Sequence, residues 1–293
     1  MALSDCLQAH TGPIFHLAFS PNSKYLASSA DDSTVRIWDM EKGKLISAYH
    51  QFEHQIFEQI AFSRDGKKLM GVSCVDRTLF VWNVRTGEFL HSHAQLSHPD
   101  RIKDFQLSNT LIKSRLSDSV LFWEVESGNQ LPPVKTSSPT SQHVIGQIAI
   151  GEPAQVRIWA LDHAENIRVI AHENDSDEVD SMLLSPDSQV VAYATRHFYK
   201  LFDLRNARWI RLSDHIRELY SPSCMAFSPD SKLFAAATDV YRFTICFWDV
   251  ETGHLKHTLT HIGMSIGQIL FSPDGKCFVF TTESDIKVYR IGT

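Results

Sequence analysis

FSPDGK, residues 271–276, is a turn that this chain writes repeatedly. FSPNSK stands at 19–24, FSRDGK at 62–67 and FSPDSK at 227–232, with a weaker copy, LSPDSQ, at 184–189. Proline presets φ, Asp or Asn bonds the backbone just beyond it, and Gly accepts a positive φ. Each copy therefore reads as a tight turn between two strands. The serines set a period. Ser20 and Ser63 are 43 residues apart, as are Ser185 and Ser228, and Ser272 follows Ser228 by 44. The gap from Ser63 to Ser185 holds three more periods of about 41, with Ser108 in FQLSN filling one slot and IAIGE at 148–152 the other. A period of this size means repeated supersecondary units, none of which buries its apolar surface without neighbours.

Each turn separates two short apolar stretches, as in HLAFSPNSKYLASSA, and a third follows. It reads TVRIWDM at 34–40, TLFVWNV at 78–84, VLFWEV at 120–125, VRIWAL at 156–161, YKLFDL at 199–204, TICFWDV at 244–250 and IKVYRI at 286–291. After most of these comes a turn such as EKGK or ETGH, then a fourth stretch such as LISAYH or LKHTLTH. Four short strands per unit, seven units and little helical periodicity predict an all-β chain. The strands are apolar on both faces more often than they alternate. An antiparallel sheet with one wet face alternates, so each sheet is expected to lie between two others.

The WD, WN and WE pairs that end the third stretch, with histidines ahead of the first, carry a resemblance. The chain resembles the WD-repeat β-propeller family over essentially its whole length. The resemblance implies a seven-bladed β-propeller of four-stranded antiparallel blades, in one domain over 1–293. The units run approximately 10–53, 54–97, 98–142, 143–171, 172–214, 215–260 and 261–293 with 1–9. The last unit holds three strands, and LSDCLQAH at 3–10 aligns with the fourth-strand blocks. The N-terminal strand is thus expected to complete the last blade, close the ring and remove an exposed sheet edge.

In the family a His, a Ser or Thr, an Asp and the Trp form a buried hydrogen-bonded set. Unit 1 matches in full as His10, Ser28, Asp32 and Trp38, and unit 2 keeps His54, Asp76 and Trp82. Unit 6 offers His215, Asp239 and Trp248, whereas Pro153 and Arg196 stand where units 4 and 5 would carry the Asp. A buried Asp needs donors and a Trp N–H needs an acceptor, so these residues read as structural.

The chain has 43% hydrophobic and 21% charged residues, the balance of an ordinary globular protein. A net charge of −6 argues mildly against nucleic acid as a partner. MALSDCLQAH lacks the basic and apolar regions of a signal peptide. Five scattered cysteines, Cys6, Cys74, Cys224, Cys246 and Cys277, read as reduced packing residues. The expected location is cytoplasmic, with the nucleus as the alternative. The expected state is a monomeric ring or a domain of a larger protein.

Several stretches mimic reactive sites. GMSIG at 263–267 fits the nucleophile-elbow spacing around Ser265, but a strand rather than a helix follows it. His91 and His93 share a strand face near His98, a conceivable zinc set that reads more simply as surface residues. HENDSDEVD at 172–180 lacks the Gly of a calcium loop. RNARWIRL at 205–212 interleaves arginines with Trp209, a pattern able to stack nucleic acid or to form a rim strand. No P-loop, dinucleotide fingerprint, HExxH or CxxC occurs. The chain is expected to be no enzyme, with no cofactor, metal or catalytic residue.

The resemblance implies a partner-binding "top" face, formed by loops before the first strand and turns between the second and third. The positions it implies are Pro13, Phe15 and Asp31 in unit 1, Ile56, Glu58 and Val75 in unit 2, and Arg101 and Lys103 in unit 3. Glu178, Asp180 and Thr195 in unit 5 and Tyr241 in unit 6 complete them. Longer loops in units 5 and 6 are expected to raise an acidic lip there. The reading is a non-enzymatic scaffold or sensor that binds a protein or peptide. The alternatives are an RNA-binding propeller using the Arg/Trp rim and an enzyme with a central-channel site.

Overall fold

The computed structural model describes residues 2–8, 10–49, 55–75, 78–93, 104–107, 111–115, 119–124, 130–135, 147–152, 155–160, 166–171, 179–195, 198–213, 224–238, 244–260 and 266–291. Among them the chain forms strands and no helix. After β1 (Ala2–Gln8) come β2 (Ile14–Phe19), β3 (Tyr25–Ala30), β4 (Val35–Asp39) and β5 (Lys44–Tyr49), which make the first sheet. The second is β6 (Phe57–Phe62), β7 (Lys68–Ser73), β8 (Leu79–Asn83) and β9 (Phe89–His93). The third is β10 (Asp104–Leu107), β11 (Leu111–Arg115), β12 (Ser119–Glu124) and β13 (Gln130–Lys135). The fourth has three strands, β14 (Gln147–Glu152), β15 (Gln155–Ala160) and β16 (Asn166–Ala171). The fifth is β17 (Val179–Leu184), β18 (Val190–Thr195), β19 (Tyr199–Asp203) and β20 (Arg208–Ile210). The sixth is β21 (Met225–Phe227), β22 (Leu233–Thr238), β23 (Thr244–Asp249) and β24 (Leu255–Leu259). The last is ordered β1–β27–β26–β25, from β25 (Ile269–Phe271), β26 (Cys277–Thr282) and β27 (Asp285–Arg290).

These strands divide into two compact units. One comprises Met1–Pro139, Ser272–Cys277 and Thr281–Thr293, the other Thr140–Phe271 and Phe278–Phe280. In the first, the sheets of β2–β5 and β6–β9 share a core that includes Ile37, Tyr49, Phe57, Phe62, Phe80 and Trp82. In the second, the sheets of β17–β20 and β21–β24 share another, with Tyr199, Leu201, Phe227, Phe234 and Trp248.

The repeated turn has one chemistry in all five copies. The serine hydroxyl donates to the Asn or Asp two residues on, at 2.8 Å to Asn22, 2.6 Å to Asp65, 2.7 Å to Asp187, 2.6 Å to Asp230 and 2.6 Å to Asp274. The same oxygen accepts the N–H of Tyr25, Lys68, Val190, Leu233 or Cys277, where the second strand begins. A buried hydroxyl is thereby satisfied as donor and acceptor. The residue three after the serine is left-handed in every copy, with φ between 59° and 71° at Ser23, Gly66, Ser188, Ser231 and Gly275. Serine is strained there, yet two of the three hydroxyls make a bond glycine could not. Ser23 Oγ accepts the Asp274 N–H at 3.0 Å, and Ser231 Oγ accepts that of Asp187 at 3.1 Å. The turns thus tie neighbouring sheets together.

Burial falls from the second strand to the fourth. β18 is buried at every position, and β3 and β7 at all but the first. The fourth strands β5 and β24 keep one buried position each, β5 with three exposed residues and β24 mostly half-buried. Burial on both faces is the outcome expected of sheets that lie between sheets. β1 pairs antiparallel with β27, from Ala2 opposite Arg290 to Gln8 opposite Asp285. The N-terminal strand therefore supplies the outer strand of the last sheet, as the sequence predicts.

The structure corrects one reading. Residues 148–152 are not a turn but part of β14, which pairs with the Trp159 strand β15. Their alternating isoleucines form a strand, and eighteen residues back from Trp159, the Ser20–Trp38 spacing, lies residue 141, outside the described residues. The Trp82 indole N–H finds no partner among the described residues. Gly71 stands where the first sheet has Ser28. A Cβ there would lie 2.9 Å from Phe57 Cδ1 and 3.1 Å from Trp82 Cζ3, so tight aromatic packing has displaced the hydroxyl.

Deleting residues 1–9 removes β1 and the buried Leu7, worth about 2 kcal/mol on its own. The melting temperature is expected to fall by at least about 5 °C. An unchanged thermal transition would contradict a stabilising role for this strand.

Candidate functional site

Ser28, His10 and Asp32 have the spacing of a hydrolase triad. Ser28 Oγ is 2.7 Å from His10 Nε2, and His10 Nδ1 is 3.0 Å from Asp32 Oδ2. The proton positions follow from Trp38, whose indole can only donate. It donates to Ser28 Oγ at 2.9 Å, Ser28 donates to Nε2, and Nδ1–H donates to the carboxylate. Asp32 also accepts from the Thr11 N–H at 3.0 Å, the Thr34 hydroxyl at 2.6 Å and Arg36 at 3.3 Å. Burial opposes the Asp32 charge, but the bonds from Thr34, Thr11 and His10 outweigh it and hold the carboxyl at about 2. Burial lowers His10 below the usual imidazole value, against the pull of Asp32. Catalysis needs an accessible nucleophile. Ser28 is 0% exposed, so the set braces the first sheet. Thr34 and Arg36 were not read from the sequence, although a Thr two residues after the turn Asp is well placed for such a bond.

The set is complete in the first sheet alone among the described residues. His54 and Asp76 lie outside them. In the sixth sheet Ala236 takes the serine position, and Trp248 donates instead to the Ser213 carbonyl at 3.0 Å. His215 and Asp239 lie outside the described residues.

The exposed positions have a different origin. In the β2–β3 ladder Ile14 pairs with Ala30 and His16 with Ser29, leaving Phe15 as an extra residue. In β6–β7, Phe57 pairs with Ser73 and Gln59 with Val72, leaving Glu58. In β17–β18, Val179 pairs with Thr195 and Ser181 with Ala194, leaving Asp180. A bulge bends the strand and re-aims the unpaired side chain. Phe15 is 41% exposed and Glu58 is exposed, while Ile14 and Phe57 just before them are buried. β2 and β6 lie side by side, and the Ile60 N–H donates to His16 Nδ1 at 3.4 Å. The bulges of Phe15 and Glu58 thus occupy matching places on neighbouring strands.

Pro13 and Asp31 are exposed beside Phe15, joined by a 2.9 Å backbone bond from the Asp31 N–H to the Pro13 carbonyl. Cys74 makes the same bond to Ile56, which is half-buried, and Val75 beyond it is 60% exposed. Thr195 is the exception. It is 1% exposed, inside the ladder to β17, and offers no surface to a partner. Arg101, Lys103, Glu178 and Tyr241 lie outside the described residues, as do the acidic stretch 172–178, Ser265 and His98.

Trp209 packs edge-on against Phe202 at 4.7 Å and Tyr193 at 5.8 Å, with the Lys200 ammonium 5.7 Å from its ring. Arg208 pairs with Asp203 at 3.4 Å. That aromatic is occupied within its own sheet rather than offered to bases. Among the described residues no three His, Cys, Asp or Glu side chains are grouped to hold a metal.

Comparison with known proteins agrees with the repeat pattern. The family described as WD domain, G-beta repeat, matches residues 2–39 and 211–249. Protein tipD of Dictyostelium discoideum is 23% identical over 285 residues, covering 92% of this chain and 45% of its own length. Transducin beta-like protein 2 of Homo sapiens is 24% identical over 325 residues, covering 98% of this chain and 71% of its own. Eukaryotic translation initiation factor 3 subunit I of Neurospora crassa is 36% identical over 64 residues, covering 22% and 18%. The chain spans less than half the length of tipD and a smaller share of the initiation-factor subunit.

Neighbouring aspartates separate bracing from surface. Asp32→Ala is expected to cost about 3 kcal/mol in chemical denaturation, and Asp31→Ala less than about 0.5 kcal/mol. Equal costs would contradict the division of roles. Acid stability has a sign as well. Burial lowers His16 from 6.5 to about 4. A histidine whose folded value is depressed contributes stability above its free value, and that stability is lost as pH falls from about 6.5 toward 4. Asp32 adds a loss only below its ordinary value of 3.8, down to about 2. His16→Gln is expected to flatten melting temperature against pH between 6.5 and 4. An unchanged slope would show that His16 does not set it.

Proposed function

We propose that this chain, a member of the WD-repeat family, is a non-enzymatic interaction module. Its seven sheets form the blades of a closed propeller, β1 completing the seventh, and one face receives a protein or peptide. The observation that carries the reading is the matched pair of bulges that leaves Phe15 and Glu58 exposed on adjacent strands, with Pro13, Asp31 and Val75 around them. An apolar anchor ringed by carboxylates suits a partner with an apolar residue flanked by basic ones. One relative is by name a subunit of a translation initiation factor, which supports a role within an assembly. The cytoplasm or nucleus is the proposed location.

The test is capture from lysate with three baits: wild type, Phe15→Asp/Glu58→Lys, and Ile46→Asp. Ile46 is 45% exposed on the outer strand β5, away from the bulged first strands. A partner lost by the double variant and kept by Ile46→Asp is expected. Loss with Ile46→Asp alone would move the site to the outer strands, and capture by no bait would contradict the module.

A further inference from the structure

Cys6 departs from the other cysteines. Cys224 and Cys246 are buried, Cys74 and Cys277 partly so, while Cys6 is exposed on β1. It is the direct cross-strand partner of Lys287 on β27. The Lys287 ammonium donates to Cys6 Sγ at 3.0 Å and to Asp285 Oδ2 at 3.2 Å, and Sγ lies 3.8 Å from the same carboxylate oxygen. Lys287 and Asp285 are about three-quarters covered. A sulfur, an amine and a carboxylate therefore meet at the outermost strand pair of the last sheet, joining residues 281 apart in sequence.

We propose that Cys6 and Lys287 form a reversible sulfur–nitrogen cross-link under hydrogen peroxide, stapling β1 to β27. In the first step the Cys6 sulfur attacks peroxide. An S–O bond forms and the O–O bond breaks; the thiol is oxidised by two electrons to sulfenic acid, and peroxide is reduced to water. In the second, Asp285 takes the ammonium proton and the freed Lys287 amine attacks sulfur. The S–N bond forms, the S–O bond breaks, and the hydroxyl leaves as water with one amine proton. Of the three ammonium protons one stays on nitrogen, one leaves in the water and one passes through Asp285 to solvent, which carries off the ammonium's positive charge. Two external thiols reverse the link, yielding the Cys6 thiol, the Lys287 amine and a disulfide.

The geometry orders these steps. The hydrogen bond to Cys6 comes first among the influences that hold Lys287 above its usual value, with Asp285 contributing. While the sulfur is reduced, the amine stays protonated and inert. Oxidation to sulfenic acid makes the sulfur an electrophile, and Asp285 is placed to accept the ammonium proton. β1 pairs with β27 alone in its sheet, and outer terminal strands fray most readily. A covalent tie at this position sets how firmly β1 is held.

The test treats the purified full chain with hydrogen peroxide and digests it without reductant for mass spectrometry. The expected product is one species joining the peptides that carry residues 6 and 287, about 2 Da lighter than their sum and cleaved by thiol. The treated protein melts higher than the reduced one, and thiol abolishes the shift. Lys287→Arg abolishes the linked species and leaves Cys6 as a sulfenic acid that dimedone captures at least about tenfold more than in wild type. Cys6→Ser, a conservative change at an exposed position, gives neither product. A folded wild type whose Cys6 ends unmodified, in a disulfide or as sulfinic acid, with no 6–287 species, overturns the proposal. So does dimedone capture equal to that of Lys287→Arg.

Discussion

The second strands of the first, second and fifth sheets are buried on both faces, so these short sheets must be covered on both. That constraint explains why the period recurs. The second strands bear it most heavily: β18 has no exposed position, and β3 and β7 are buried beyond their first residue. Burying an aromatic or large aliphatic side chain contributes about 2–3 kcal/mol, so a sheet without its neighbours forfeits most of what holds it. The repeated turn serves the same end. Its serine closes the first and second strands into a hairpin, and Ser23 and Ser231 carry the hydrogen bonding to the next turn along.

Polar chemistry divides by place under this constraint. Buried polar groups brace. Ser28, His10 and Asp32 have the contacts of a catalytic set, but the serine is sealed and its oxygen already accepts the Trp38 N–H. Where the set lapses, the sheets adapt differently. In the second sheet, aromatic packing around Gly71 leaves the Trp82 N–H without an acceptor among the described residues; in the sixth, a backbone carbonyl supplies one. Some of the exposed apolar side chains are exposed by bulges. Phe15 and Ile46 are both extra residues opposite regular partners; Phe15 stands between a buried and a half-buried neighbour, and Ile46 ends the open stretch that begins at Lys44.

The hairpin turns and third strands were legible because their side chains are the cause of their geometry. A serine, a carboxylate two residues on and a glycine or serine after it can be read directly, and so can the aromatic at the end of the third strand. The pairing of β1 with β27 was legible from the missing fourth strand of the last unit. The bulges were not, because an extra residue changes register without changing composition. The positions of Phe15 and Glu58 came from family resemblance, and the bulge supplies the physical reason they are exposed. Residues 148–152 alternate isoleucine with small residues, and that alternation, not their distance from Ser108, makes them a strand. The meeting of Cys6 with Lys287 needed the register of two strands from opposite ends of the chain.

Backbone amide hydrogen exchange, resolved by strand, tests the central constraint most directly. If sheets are covered on both faces through their second strands, amides of β3, β7, β18 and β22 exchange slowest, and those of β5, β20 and β24 fastest. Fourth strands protected as strongly as second strands would contradict the account, because the core would then lie elsewhere.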